Sequence, residues 1–573
     1  MNADQLSLGK DHSADKIQQG GKWSMLFSRF FVWILVGCGI LLAWINRFVQ
    51  DDAYISFRYA RNLADGVGLV WNVGECVEGY TNFLWTLLMV PAFWFGCDVV
   101  VWCQTLSLLS YVATLLLVWK LSGNGKTEPS GFRFLPLLLI TTNFSVTSYA
   151  TGGLETQFVT MLVAFSAYLS ERSCKGNWQS LLLFSFVSAA AILTRMDSVL
   201  LIAPFWLYAL WRLLSEQHHS GNPSCLRLLI SGFVTAVLVG AWLCWRHAYY
   251  GYWLPNTFLI KGESNPLRGL CYLLLFSILY GWCVFPAISL WMRFQRERGS
   301  SPACREDGLI LPMRWAVLLW FAYVILVGGD FMEFRMVMPA VPFVCLLILE
   351  IVKTAERKVG KNLLKGVVFF VVLLGLVGLP RWWPVKLIQP LWELKAMASE
   401  WVQSAHDLNR ILGQEGSDVK IAVSPAGILP FLTRLPSFDN LGLNTREVAL
   451  EGNRIPKPPR SRLGNLPGHV MMAKWSQLEE AGVHLLINNP WIVPKGNKGK
   501  VFESLKLDAN GTVDTQALNL IFPGFHVTVP DKTTAKLIAW DLPNGNSWLM
   551  LYLTPHPLVE KALATTGKTY LLR

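Results

Sequence analysis

Charged residues are scarce in this chain, at 15% of 573 positions, against about a quarter in average soluble domains. With 53% hydrophobic residues and a mean hydropathy of +0.38, that shortage argues against an ordinary soluble enzyme and for a polytopic membrane protein. Cys-x-x-Cys pairs are lacking. The 11 cysteines fall mainly inside apolar segments, as small buried hydrophobes do, so neither a disulfide framework nor a cysteine metal site is expected. No basic helix or RNA-binding motif accompanies the net charge of +12, and no nucleic-acid partner is expected. The first apolar segment lacks a small-residue cleavage site and is expected to stay as an anchor.

What is abundant fits that reading. Tryptophan (26) and phenylalanine (32) are numerous, and such rings favour the headgroup region. Residues 1–24 read as a short disordered cytoplasmic tail. Apolar segments then recur over 30–379, about a dozen in all, several shorter than the roughly 20 residues a straight span needs. The loops between them are of two kinds. Those at 120–133, 172–175, 212–227, 293–314 and 353–365 are basic and read as cytoplasmic. The others carry DDAYISFRYAR, TGGLET, TRMD, YYGYWLPNTFLIKG and GGDFMEFRMVMP. Placing all five motifs on one outer face requires segment 81–96 not to cross, which leaves about eleven crossings. The membrane domain is then 25–380, with a first outer loop at 49–80. Beyond 380, Pro, Gly, Asn and charges rise. A helix at 392–412, a strand at 419–423, a helix at 475–481 and a strand at 483–487 predict an outer-face soluble α/β domain over 381–573.

Ionisable residues at a helix mouth are functional candidates by default, because a charge in hydrocarbon costs several kcal/mol. Asp51 and Asp52 open the first outer loop. Two adjacent carboxylates repel, so one is expected to hold its proton more tightly, as a general base requires. The plain alternative is an Asp N-cap ahead of an amphipathic helix. Arg58 and Arg61 share a face of that helix and suit either a phosphate or lipid headgroups. Glu155 follows a Gly-Gly corner and suits sugar hydroxyls or a helix start. Arg195 and Asp197 stand two apart, a spacing that does not share a helix face. Separate roles follow, with Arg195 on phosphate and Asp197 as a cap. Asn256 and Lys261 lie in an aromatic surface loop, where Lys261 suits phosphate. Arg335 begins a membrane helix beside Asp330 and Glu333, which calls for a carboxylate or phosphate partner. Asn440 belongs to a turn cluster, and His469 precedes a helix.

Together DDAYISFRYARNLADGVGLVWNVGECVEGYTNFLW, TGGLET, TRMD, YYGYWLPNTF, GGDFMEFRMVMPA, DNLGLN and the Gly468-His469 block resemble the terminal β-arabinofuranosyltransferases, best known from mycobacterial cell-wall synthesis. Flagellar motor-control and pilin-arabinosylating relatives look similar. The seven blocks span roughly 45–490 in consistent order. The resemblance implies a GT-C fold with a catalytic first outer loop, in the cytoplasmic membrane of a bacterium. It implies a polyprenyl-phosphate sugar donor, decaprenyl-phosphoryl-arabinofuranose in the well-known members, and inverting transfer to a glycan, lipid or protein acceptor. The family's aspartate pair falls on Asp51 and Asp52. On this reading Arg58, Arg195, Arg335, Lys261 and His469 serve the donor phosphate, and Glu155, Asp330, Asn256 and Asn440 serve sugar or acceptor. Met332-Glu333 departs from the family pattern and puts sugar and acceptor identity in doubt. No residue set demands a metal; a divalent cation stays open. A non-catalytic assembly component on the same scaffold and a transporter are the alternatives. The clustering of informative charges at one membrane face speaks against the transporter.

Overall fold

The computed structural model describes residues 28–123, 132–175, 177–220, 224–260, 264–297, 308–378, 387–413, 416–456, 467–522, 527–531 and 533–573. Six described helices are long and apolar enough to cross a membrane: Ser28–Ile45, Val99–Ser122, Met196–Ser215, Leu226–Tyr250, Ile310–Val327 and Arg335–Glu356. A seventh is possible if Pro266–Leu279 and Val284–Met292, bent by 90°, count as one span.

The expectation of about eleven crossings is not met by long single helices. Several apolar segments are broken or short. Segment 133–150 divides into Leu135–Thr141 and Phe144–Tyr149, split at Asn143, whose side chain caps the second piece by accepting from the Val146 N–H at 3.0 Å. Segment 81–96 forms only Phe83–Trp94, twelve residues. Thr156–Cys174 has a long run of buried side chains and packs inside the helical core rather than presenting an apolar surface all round. Arg335 does not begin a regular α-helix. It opens a 3-10 turn, Arg335–Ala340, and the α-helix starts at Val341.

The C-terminal part carries a seven-stranded mixed sheet. Its strands are β1 (Ile421–Val423), β2 (Ser437–Asp439), β5 (Leu485–Val493), β6 (Thr512–Val513), β7 (Lys536–Asp541), β8 (Ser547–Tyr552) and β9 (Gly567–Leu572), in the order β2-β1-β5-β8-β7-β9-β6. A separate two-stranded ribbon pairs β3 (Asn453–Arg454) with β4 (Met471–Met472). Side chains alternate across a strand. Leu537 and Ala539 therefore join one buried cluster, while Ile538 and Trp540 join another on the opposite face. Both faces of the sheet are covered. One cover is the helix Leu391–Leu412, which matches the expected 392–412 helix to within a residue.

Helix Asp51–Ala64 links the two parts. It follows the extended residue Gln50, so neither aspartate is its cap; both sit in its first turn, where negative charge complements the helix dipole. The sequence suggests an interfacial helix with one polar face. Instead the helix is buried on nearly every side, Arg58 and Arg61 included, because the C-terminal domain lies over the face expected to meet headgroups.

Candidate active site

Asp51 and Asp52 line a cavity of about 120 Å3 between the helical part and the C-terminal domain. Gln50 and Ile55 share their wall. Phe331 and Gln389 come from the helical side, Leu394, Met397 and Trp401 from helix Leu391–Leu412, and Ser424, Leu441, His469 and Asn489 from the C-terminal domain. Asp51 is buried at 6% exposure, and Asp52 is half-buried. Both Asp51 oxygens accept backbone N–H bonds from the C-terminal domain: Oδ1 from Ile428 at 2.7 Å and Oδ2 from Gly427 at 3.1 Å. Burial dominates its protonation and pushes the pKa up to about 7. The Ile428 amide opposes that shift, and the neighbouring Asp52 charge adds to it. The buried carboxyl of Asp439 is likewise raised, to about 6, by burial, against hydrogen bonds from the backbone of Asn444, Leu441 and Gly442 and from the Asn444 side chain that lower it.

A second cluster of charges lies beside the first turn of this helix. Gly153 adopts φ +85°, and a Cβ there would sit 2.8 Å from the Ala53 Cβ, so the Gly-Gly corner exists to bring TGGLET against the aspartate helix. Glu155 stands at the end of that corner and caps nothing. Its Oε2 accepts from Asn82 Nδ2 at 2.9 Å, and Asn82 Oδ1 accepts from Ser56 on the aspartate helix at 3.1 Å. Its Oε1 meets Arg195 Nη1 at 3.1 Å. Arg195 also grips Asp197 through Nε at 2.9 Å and Nη2 at 2.5 Å. The helix-face argument for separate roles fails here: Arg195 is extended (φ −150°, ψ 116°), which lets two side chains two residues apart meet. Arg335 donates through Nε to Asp330 at 2.7 Å, and the charges of Glu155, Arg195 and Asp52 also act on it.

The expected site residues therefore fall into separate groups. Asp51, Asp52 and His469 line the cavity, with the His469 ring edge-on to Phe331 at 4.9 Å. Glu155, Arg195, Asp330 and Arg335 form the adjoining ion-pair cluster, in which Glu155 and Asp330 orient guanidinium groups. Arg58 is a correction. Its guanidinium donates to the carbonyls of Trp71 (2.7 Å), Pro430 (2.5 Å) and Leu435 (2.9 Å) and to Asn72, so it fastens the loop to the C-terminal domain instead of facing a donor phosphate. Asn256 is another: its Nδ2 donates to the Gly442 and Leu443 carbonyls at 2.6 and 3.2 Å, a structural clasp. Asn440 is fully buried, finds no side-chain partner among the described residues, and is not itself a cavity wall, although its neighbour Leu441 is. Lys261 lies outside the described residues. Glu333 is also anchored away from the cavity, accepting from Ser145 at 3.1 Å and from the Leu391 N–H at 2.8 Å.

Sequence reasoning missed Asn82, Phe331, Gln389 and Trp401. Asn82 stood inside a quoted motif, but only the fold shows it bridging Ser56 to Glu155. No group of three or more His, Cys, Asp or Glu side chains converges as metal ligands among the described residues.

Comparison with known proteins agrees with this architecture. Residues 94–245 match the family described as dolichyl-phosphate-mannose-protein mannosyltransferase. A terminal β-(1→2)-arabinofuranosyltransferase of Mycobacterium tuberculosis is 26% identical over 359 residues, 56% of this chain and 55% of that protein. Its counterpart from Corynebacterium glutamicum is 24% identical over 324 residues, 52% of this chain and 46% of that protein. The chain thus spans about half the length of these relatives. Among solved structures, ArnT from Cupriavidus metallidurans in the apo state superposes with a TM-score of 0.51 at 11% identity, over 92% of this chain and all of that one. The same protein bound to undecaprenyl phosphate gives a TM-score of 0.49 at 12% identity, over 71% of this chain and 85% of that one. The chain is a multi-pass membrane protein of GT-C fold, similar to the terminal β-(1→2)-arabinofuranosyltransferases along about half their length.

Proposed function

We propose that this protein is an inverting glycosyltransferase that moves a pentofuranose, arabinofuranose first among candidates, from a polyprenyl phosphate to a hydroxyl acceptor on the outer face of the bacterial cytoplasmic membrane. The observation that carries this reading is an aspartate pair, one member buried and one half-buried, in a cavity beside a two-arginine cluster. Similarity to arabinofuranosyltransferases supports the sugar class.

The chemistry needs few parts. The acceptor O–H gives its proton to a carboxylate of the Asp51–Asp52 pair as its oxygen attacks the anomeric carbon. The anomeric C–O bond to phosphate breaks on the opposite face, and the lipid phosphate leaves with the electron pair. A base works best with a pKa near the operating pH, and burial brings Asp51 to about 7. Arg335 and Arg195, already oriented by Asp330, Glu155 and Asp197, supply cations for the departing phosphate without reorganising. His469, Phe331 and Trp401 supply the aromatic wall on which a sugar ring rests.

The test is transfer from labelled decaprenyl-phosphoryl-arabinofuranose by the full-length protein in nanodiscs, with other polyprenyl-phosphate sugars in parallel. Asp51→Asn and Asp52→Asn should each lower the rate by about 10²–10⁴-fold. Transfer at wild-type rate by both variants would end the reading.

A further inference from the structure

The two amides that hold Asp51 come from the C-terminal domain, 376 and 377 residues along the chain. Gly427 is the closer constraint. Its φ of −98° is open to any residue, so conformational freedom does not explain the glycine. Space does. A Cβ at 427 would sit 1.9 Å from the Asp51 carbonyl oxygen, 2.7 Å from its carbonyl carbon and 3.0 Å from its Cγ, and these are its three nearest atoms. Two of the three are backbone, so no side-chain rotation relieves the contact. The segment Ser424–Ala426 leading into Gly427 is itself cavity wall, and Ser424 is hydrogen-bonded to Asn488 on β5. The amide pair is thereby fixed to the sheet.

We propose that Gly427 and Ile428 are positioning residues: the C-terminal domain, through two backbone amides, orients the carboxylate of Asp51 in the cavity. The proposal rests on the reading of Asp51 as part of the base pair. Two N–H bonds fix both the rotation of the carboxylate and its distance from the acceptor, and they stabilise its ionised form. The charged and titratable groups facing it are Asp52 and Tyr54 on its own helix, Asp439 from the C-terminal domain, and His469 across the cavity. None of these is a lysine or arginine, so the amides are the groups that draw Asp51 toward ionisation.

Three measurements on the full-length protein in nanodiscs test this. Gly427→Ala must open the contact by about 1 Å to bring the new Cβ even to 3.0 Å from the Asp51 carbonyl oxygen. A displacement of that size costs about 10²-fold in rate. With decaprenyl-phosphoryl-arabinofuranose as donor, kcat should fall by that order, donor KM should stay within about threefold, and the acid limb of the pH–rate profile should move to higher pH. Gly499→Ala, at an open position of the same domain, is the control and should behave as wild type. An unmoved kcat and acid limb in a folded Gly427→Ala protein overturns the proposal. The third measurement needs no activity and no change at Gly427. In Asp51→Asn, hydrogen exchange in the peptide spanning 424–434 should accelerate at least tenfold while β5 and β8 keep their protection. Unchanged exchange there overturns the proposal even if every glycosyl-transfer assay is silent, whereas silence with accelerated exchange overturns only the functional reading.

Discussion

Arg195 and Glu155 meet at 3.1 Å across 40 residues of sequence, with side chains exposed by 17% and 3%. The contact joins TGGLET to TRMD, and through Asn82 and Ser56 it extends to the aspartate helix. A charge left alone in such a place is costly. Removing one partner of a buried pair costs about 3–5 kcal/mol, because the other stays desolvated and uncompensated. Arg195→Ala should show that full loss, since it takes the cation from both Glu155 and Asp197 and leaves them neutral hydrogen bonds such as that from Asn82. Glu155→Gln should cost less, since Asp197 still neutralises Arg195. Denaturant unfolding in detergent measures both, and equal losses would mean Asp197 does not compensate.

Arg58 offers the opposite contrast. Three carbonyls and one amide oxygen engage its guanidinium, two of them from residues more than 370 positions away. Lysine cannot reproduce that planar fork. Arg58→Lys should therefore lower the unfolding midpoint about as much as Arg58→Ala, and the folded fraction of either should keep the wild-type donor KM. A donor KM raised tenfold at unchanged stability would restore a phosphate role to this residue.

How far the sequence could be read depended on whether a residue's partner was local. The 392–412 helix came from its periodicity, and the strands expected at 419–423 and 483–487 came from short apolar runs, which suits strands buried on both faces; the second strand runs on to Val493. The helix breaks were not legible, because the one at Asn143 and the 90° bend after Leu279 interrupt apolar runs without any change of composition. The place of the aspartate pair, after the first long apolar helix, was legible, and the pair lines a cavity. The identity of its neighbours was not, since Gly427 ends an unremarkable Ser-Pro-Ala-Gly turn and Ile428 begins the short helix after it. Arg58 and Asn256 were misread for the same reason: each is polar in a motif, and only tertiary contact shows that it faces carbonyls.

The raised pKa of Asp51 carries a stability cost with a defined sign. In the unfolded chain the group titrates near 3.8, and in the fold near 7. Between those values the folded state holds a proton that the unfolded state has lost. Stability from this group is therefore complete below about pH 3.8 and falls as pH rises through about 7. On the proposed function, catalysis by the ionised carboxylate runs the other way and rises through the same window. Subtracting the unfolding curve of Asp51→Asn from that of wild type isolates the effect. The difference should decline from pH 4 to 7 and then level off, and a flat difference would show that Asp51 titrates normally in the fold.

The same contacts decide what removing the C-terminal domain would do. Ending the chain at residue 413 deletes the amides on Asp51, the Pro430 and Leu435 acceptors of Arg58, the Phe431 acceptor of Arg61 and the Ser437 acceptor of Asn72. It also removes the Phe431 ring that packs on Tyr54, on Phe57 and under the Arg61 guanidinium, 4.2 Å from the ring centre. Two arginines and a carboxylate would then face water from a helix that keeps its packing on Trp85, Met89 and Leu154 but has lost the support of its other face, and most helical stability comes from such packing rather than from propensity. The membrane helices form their own core, so they should persist. Loop 49–80 should not. Limited trypsin digestion of the truncated protein should cut after Arg58 and Arg61 at least tenfold faster than in the full-length chain, with transfer activity lost altogether. Unchanged resistance at those two bonds would mean that the helix Asp51–Ala64 is held by the membrane part alone.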